Sequence, residues 1–568
     1  MFAHIGAEAL LVSLALLLAL LRPQFGATWF AQAERALTAL ARRPTLSILI
    51  CGSSALAVRL GLLPWLPIPH PFINDEFSFL LAGDTFAHGR LTNPTHPMWV
   101  HLEAFHTLFH PTYASMYPPL QGFALAFGQV VFGHPFWGVW LSAGVMCAAV
   151  CWMLQAWFPP TWAFLGAMLP VMRFGVLSYW GNSYWGGALA ATGGALVLGA
   201  MPRIIHRQAV RDSLVFALGI AILANTRPYE GSVVCAATFG GLLFWILKNK
   251  PPIHLLLRRV ILPVTLVLAV AGAATIFYCW EVTGNPLRMP QQVNRDTYAV
   301  APYFYWQTAH PEPKYDHKEI RDFYGLESRE FHQAHTLAGA LLQIVKKVGL
   351  GWTFYVSPLL TIPLFMLPWM LRDPRMRFPL IAGAVSLIGC VIVVFFNIHY
   401  LAPAVSLFLI FLVQGLRRLR SWSLEGDPTG LFLSRATIAG CVLMIPLQVH
   451  ILSAAPKPGT VAALGVQRAA IEEQLESRPG EHIILVRYSP DHDAQMEWVY
   501  NGADIEHAKI AWARDMGPEK NEELLRFFKD RQCWLLDADA SYVHIVPYAV
   551  RDAGPESSHL AASAERNP

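Results

Sequence analysis

Long apolar runs separated by short basic clusters organise this chain. Runs near residues 4–21, 45–65, 136–157, 161–178, 185–201, 213–226, 231–247, 260–279, 348–371, 378–396, 402–416 and 436–454 each approach the length a helix needs to cross a bilayer. Between them lie five Lys/Arg clusters: Arg35, Arg42 and Arg43; Arg203, Arg207 and Arg211; Lys248, Lys250, Arg258 and Arg259; Arg372, Arg375 and Arg377; and Arg417, Arg418 and Arg420. Placing all five in the cytoplasm makes the intervening spans pair off, as the enrichment of cytoplasmic loops in Lys and Arg requires. One more run, Leu120 to Phe132, would break that alternation as a span. Pro118-Pro119 before it and Gly133-His134-Pro135 after it predict a helix lying in the outer interface. The opening run, Ala3 to Leu21, has no basic n-region and no small-residue cleavage site, so it reads as a retained helix.

The fold class expected is therefore an all-α polytopic membrane protein of about twelve spans with a small C-terminal α/β domain. The membrane part covers residues 1–454, with outer loops at 66–135 and 280–347. Residues 455–553 change character. Short apolar stretches at 482–487, 509–513 and 533–536, with an amphipathic stretch over 521–529, predict strands around a helix in a unit of about 110 residues, enough for one modest core. Residues 554–568 read as a disordered tail. Both large loops and this unit fall on one side of the membrane, which a site assembled between them requires.

Composition agrees with a bilayer and removes other classes. Of 568 residues, 54% are hydrophobic and only 14% charged, and mean hydropathy is +0.39, outside the range of ordinary soluble domains. Nineteen Trp and 33 Phe suit interfacial aromatic belts. The net charge of +4 is spread through small clusters without a basic face, so nucleic-acid binding has no support. Eight Cys, without a CxxC pair, give no disulfide framework.

The chemistry-bearing residues concentrate on the outer side. Asp75 and Glu76 follow the second apolar run, where a carboxylate costs far less than at the bilayer centre; two solvated loop carboxylates is the alternative. Arg227, beside Glu230, sits at the outer end of a span, where a phosphate-binding guanidinium or an Arg227–Glu230 ion pair would equally explain it. His399 and Tyr400 lie at another outer turn, as ligand contacts or interface anchors. The 280–347 loop mixes Arg288, Arg295 and Tyr303 with prolines, as polyol recognition or a rigid cap would. His96, His101, Glu103, His106 and His110 crowd one stretch, and His106/His110 have the i,i+4 spacing of metal pairs. With Phe105, Leu108 and Phe109 among them, an amphipathic interfacial helix is favoured over a metal site. Asp491-His492-Asp493 reads as a polar turn. Arg59 and Arg173 are the charges nearest mid-span, and no internal repeat is visible, which weakens a transporter reading.

Four segments carry a resemblance: Asn74-Asp75-Glu76-Phe77, Tyr117-Pro118-Pro119-Leu120, Thr226-Arg227-Pro228-Tyr229-Glu230 and Asn397-Ile398-His399-Tyr400-Leu401-Ala402-Pro403, with Thr283-Gly284-Asn285-Pro286-Leu287 opening the second outer loop. In order and sidedness, over about residues 45–420, they resemble the GT-C superfamily of integral-membrane glycosyltransferases, in the style of protein O-mannosyltransferases and aminoarabinose lipid A transferases, and a bacterial subgroup with a similar tail. The resemblance implies an inner-membrane enzyme with a periplasmic C-terminal domain. It would transfer a sugar with inversion from a polyprenyl-phosphate donor to an acceptor hydroxyl on a lipid, glycan or protein. Asp75 falls at the family's general-base position, with Glu76 as an orienting or second carboxylate. Arg227, Glu230, Tyr117, His399, Tyr400 and Arg295 are the expected substrate contacts. The family's oligosaccharyltransferases bind a divalent ion through an acidic motif in the next outer turn; here that turn, Ser178 to Trp185, holds no carboxylate, so no metal or other cofactor is expected. The alternatives are a non-catalytic partner in envelope glycan assembly and a lipid-linked sugar flippase.

Overall fold

The computed structural model describes residues 2–457, 459–540 and 543–548; the expected tail at 554–568 lies outside them. The molecule is predominantly helical, and among the described residues nine helices are long and apolar enough to cross a membrane. The remaining three expected spans are shorter or broken. Pro160–Pro170 passes into a wide π turn over Val171–Gly175, and Val210–Ala224 has 15 residues. The 348–371 run divides into the end of Leu337–Gly351, a π turn at Trp352–Val356, and the short helices Ser357–Leu364 and Leu367–Leu371. Pro358, Pro363 and Pro368 each remove a helical N–H, and Ser357 adopts φ 54° at the break. An apolar run alone does not reveal such breaks.

The two ends of the bundle differ. At one end the basic clusters are tied together: Glu34 pairs with Arg420 at 2.6 Å and Arg435 at 2.9 Å, and Asp373 with Arg418 at 2.8 Å. At the other end both large loops and the C-terminal unit meet. The Tyr298 hydroxyl donates to Glu103 at 2.6 Å, the Arg514 Nε donates to the Glu103 carbonyl at 2.9 Å, and the Ala503 N–H donates to Asp84 at 2.7 Å. Phe77 stacks face to face on Tyr500, 4.2 Å between centroids.

The C-terminal unit is a four-stranded sheet in the order Ile510–Arg514, His482–Arg487, Gln532–Asp537, Ile545–Pro547. The first three strands are parallel and the last is antiparallel. Central residues Ile483 to Val486 are fully buried, as expected of a strand covered on both faces. His492 turns away from its aspartate neighbours, and its Nδ1 meets Asp539 at 2.8 Å.

One expectation is corrected within the loop at 66–135. Residues 105–110 form no amphipathic helix. Thr107–Leu108 pairs antiparallel with Ala114–Ser115, and His106 sits at φ 58°. Pro111 disfavours helical backbone at His110, and the hairpin buries Leu108 and Phe109. The charges near mid-span are not available to a passing solute. The Arg59 guanidinium donates to the Leu66 carbonyl at 2.8 Å and the Pro67 carbonyl at 3.2 Å, while Arg173 pairs with Glu8 at 3.4 Å and donates to Ser357 Oγ at 3.0 Å.

The Leu120 to Phe132 run is the helix Pro119–Phe132. It packs against Asn74–Ala87 where Gly83 and Gly122 remove side-chain bulk, and against Phe136–Leu154 where Gly128 meets Gly138. Its other face leaves Phe127 and Val130 exposed. This packing holds the start of Asn74–Ala87 against the bundle. A Cβ at Gly138 would lie 1.9 Å from the Ala124 carbonyl oxygen, so Gly138→Ala must push two helices apart. We expect it to cost about 1–3 kcal/mol as overpacking, seen as a lowered Tm. Gly240→Ala, on a helix surface with no atom within 4 Å, should leave Tm unchanged or raise it.

Candidate active site

The Asn74–Ala87 helix begins at the end of the bundle away from the basic clusters, and its first turn places two neighbouring carboxylates in opposite environments. Glu76 points inward and is fully buried. Its Oε2 accepts from the Phe72 and Ile73 N–H groups, each at 3.1 Å, and its Oε1 from the Tyr184 N–H at 2.9 Å. This carboxyl therefore closes the helix start and ties it to the turn at 184. Burial holds its pKa at about 7, above the usual carboxylate range, against the pull of those three donors.

Asp75, one residue earlier, faces outward into a cavity of about 340 Å³. The Tyr117 hydroxyl donates to Asp75 Oδ1, and among the described residues Oδ2 accepts no hydrogen bond. Burial, then the Asp75 charge, keeps the Tyr117 hydroxyl protonated and hence a donor. Tyr117 is fixed by stacking on Phe79, 4.3 Å between centroids.

Arg227 lines the same cavity at the start of the Pro228–Asn249 helix. The Leu120 N–H donates to the Asn225 carbonyl at 3.1 Å, which brings the Tyr117 and Arg227 turns together. Among the described residues, the Arg227 guanidinium has no hydrogen-bonding partner and no ion pair within 4.0 Å; the Tyr400 ring lies 4.7 Å from Cζ to centroid, and the Glu230 and Asp75 carboxylates act on it only at longer range. The positive end of the helix adds to its field. An unpaired guanidinium on a cavity wall is a ready anion site.

The other expected residues divide. Tyr400 and Arg295 line the cavity, but Arg295 is already engaged by Glu327 at 2.7 Å and the Ala301 carbonyl at 2.5 Å, between the Tyr303 and Phe395 rings. Glu230 lies behind Tyr400 in a separate small cleft with Gly389 and Cys390. His399 is buried outside the lining; its Nδ1 meets the Tyr179 hydroxyl at 3.1 Å, and its ring lies edge-on to Trp185. Among the described residues no group of three or more His, Cys, Asp and Glu is arranged to hold a metal ion. The structure adds Trp185, Gln291, Lys346 and Gln495 to the lining. Gln495 comes from the C-terminal unit, and no local pattern marks it.

Neither a protein-family model nor a curated protein sequence matches the chain. Among solved structures it is similar to ArnT from Cupriavidus metallidurans bound to undecaprenyl phosphate, with 12% identity, 85% of this chain and 92% of that one covered, and a TM-score of 0.48. It is also similar to the Archaeoglobus fulgidus oligosaccharyltransferase tethered with an acceptor peptide, with 11% identity, 86% and 69% covered, and a TM-score of 0.45.

Glu76→Gln replaces an acceptor oxygen by an NH2 group facing backbone N–H donors, so we expect a loss of about 1–3 kcal/mol and a lower Tm. The pH dependence carries the same information. Because the folded-state pKa lies above the unfolded one, the protonated carboxyl favours the fold, fully so below the usual 4.5, and this contribution is lost as pH rises to about 7. Thermal melts across that window should show the decline in the parent protein and not in Glu76→Gln.

Proposed function

We propose that this protein is a membrane glycosyltransferase that moves a sugar from a polyprenyl-phosphate donor to an acceptor hydroxyl on the outer face of a bacterial inner membrane. The observation that carries the reading is the pairing, across one cavity, of a carboxylate and a guanidinium that, among the described residues, leave one oxygen and the whole fork without a partner. The acceptor hydroxyl gives its proton to Asp75 Oδ2 as its oxygen attacks the anomeric carbon. The bond from that carbon to the phosphate oxygen breaks, and the phosphate leaves with the electron pair, its charge met by Arg227 and the helix end behind it. A single displacement inverts the anomeric centre. Tyr117 holds Oδ1 and so aims Oδ2.

Phosphate is a good leaving group, so the reaction needs anion stabilisation more than a strong acid, and the guanidinium supplies it without a divalent ion. Sidedness is supported by the ion-paired basic clusters at the opposite end from the cavity. The motif order from Asn74 to Pro403 supports the same enzyme class. Acceptors open to such a site are the hydroxyls of a lipid, a glycan or a protein.

Asp75→Asn keeps size and removes the base, so transfer should fall by roughly two to four orders of magnitude with folding retained. Near-normal transfer by the purified variant would remove Asp75 from the reaction. Arg227→Lys keeps the charge and loses the fork, and should lower kcat/KM about ten- to hundredfold without lowering Tm. Normal transfer with a lowered Tm would instead make Arg227 a structural residue.

A further inference from the structure

A second, smaller hollow of about 120 Å³ also borders the Pro290–Tyr298 helix. Gln291 and Arg295 line the main cavity and Asn294 and Tyr298 the hollow, two neighbouring stripes of one helix face. Its walls are Trp99 and Tyr315, and Lys314 and Asp316 stand at its exposed rim. Glu103 lines it and is 97% buried, being 3% exposed.

Glu103 is incompletely satisfied. Its Oε1 accepts from the Tyr298 hydroxyl at 2.6 Å, but its Oε2 has no hydrogen-bonding partner. The nearest candidate, His317 Nε2, lies 3.6 Å away and is committed to the Val100 carbonyl at 2.6 Å. Burial, more than any neighbour, holds that imidazole neutral. Burial also raises the pKa of Glu103, so Oε2 carries a lone pair or a proton that no protein atom takes. Such a group costs about 1–3 kcal/mol unless something pairs with it.

We propose that this hollow is a sugar-binding subsite, in which Glu103 pairs with ring hydroxyls and Trp99 and Tyr315 cover the apolar face of one neutral sugar ring. The rim carries one cation and one anion, Lys314 and Asp316, which favours a neutral ring over a charged ligand. A glycan acceptor would thus be gripped one or more units from its reacting hydroxyl, with Pro290–Tyr298 contributing side chains to both the grip and the main cavity. The role as an acceptor subsite rests on the transferase reading; the sugar binding does not.

Saturation-transfer NMR on the full-length protein in nanodiscs tests it, with mannose, glucose, galactose, N-acetylglucosamine and arabinose as separate probes at millimolar concentration. At least one should receive saturation on its ring protons. Glu103→Gln should weaken that binding about tenfold or more, as loss of a charged hydrogen bond does. Trp99→Ala, at a half-buried wall residue, should also abolish or strongly reduce the signal, with a thermal melt of the variant confirming that it is folded. Asp75→Asn and Arg227→Ala should leave it in place. No saturation of any probe, or a signal that survives Trp99→Ala and disappears with Arg227→Ala, overturns the subsite. If the signal depends on Trp99 while Asp75→Asn transfers normally, the subsite stands and the catalytic reading is what fails.

Discussion

A single buried carboxyl organises the outer end of this molecule. Glu76 gathers three backbone N–H groups from two segments more than 100 residues apart in sequence, Phe72 and Ile73 on one side and Tyr184 on the other. Those donors mark the start of a helix, where backbone N–H groups lack intrahelical partners, and a turn that has no regular structure to satisfy it. Held this way, the first turn has one rotational setting, and the next carboxylate, Asp75, is presented to the cavity. The adjacent acids are thus divided by direction: one is used up in building the end of the helix, and the other lines the cavity.

The same division governs the cations. Arg59, Arg173, Arg295 and Arg514 are each engaged by carbonyls or carboxylates, which is what burial of a guanidinium demands. Lys347, although it lines the cavity, donates to the Tyr305 hydroxyl and to carbonyls at the end of the Arg377–Val391 helix. Among the described residues Arg227 differs in having no hydrogen bond or ion pair, with the Tyr400 ring beside it. The cavity wall thus holds cations engaged by the fold, Arg295 and Lys347, and one that is not, Arg227.

Around this centre the outer loops and the C-terminal unit form a common shell. Glu103 meets the second loop through Tyr298 and the C-terminal sheet through Arg514, and Asp84 ties the first loop's helix to Ala503. Gln495 reaches the main cavity from the C-terminal unit, so that unit contributes to the cavity's wall as well as bracing it.

Sequence by itself determined the membrane class, the gathering of the chemistry-bearing loops at the end away from the basic clusters, and the strand and helix pattern of the C-terminal unit. These follow from local composition and periodicity, which depend on solvent and not on partners. The residues Asp75, Tyr117, Arg227 and Tyr400 could be picked out from the short motifs that carry the family resemblance, and Arg295 from the mixture of guanidiniums and aromatics in its loop. Their roles could not be read there. Asp75 and Glu76 are adjacent and chemically alike, and only the packing of the 184 turn decides which is buried. Arg227 and Glu230 have the spacing of an ion pair, yet in the fold they act on each other only at longer range, with the Tyr400 ring beside the guanidinium. The hairpin at His106 replaced a helical spacing because Pro111 and burial of Phe109 outweighed local periodicity. Which polar group is left unsatisfied is a property of the whole set of neighbours, and that set exists only when distant segments have packed.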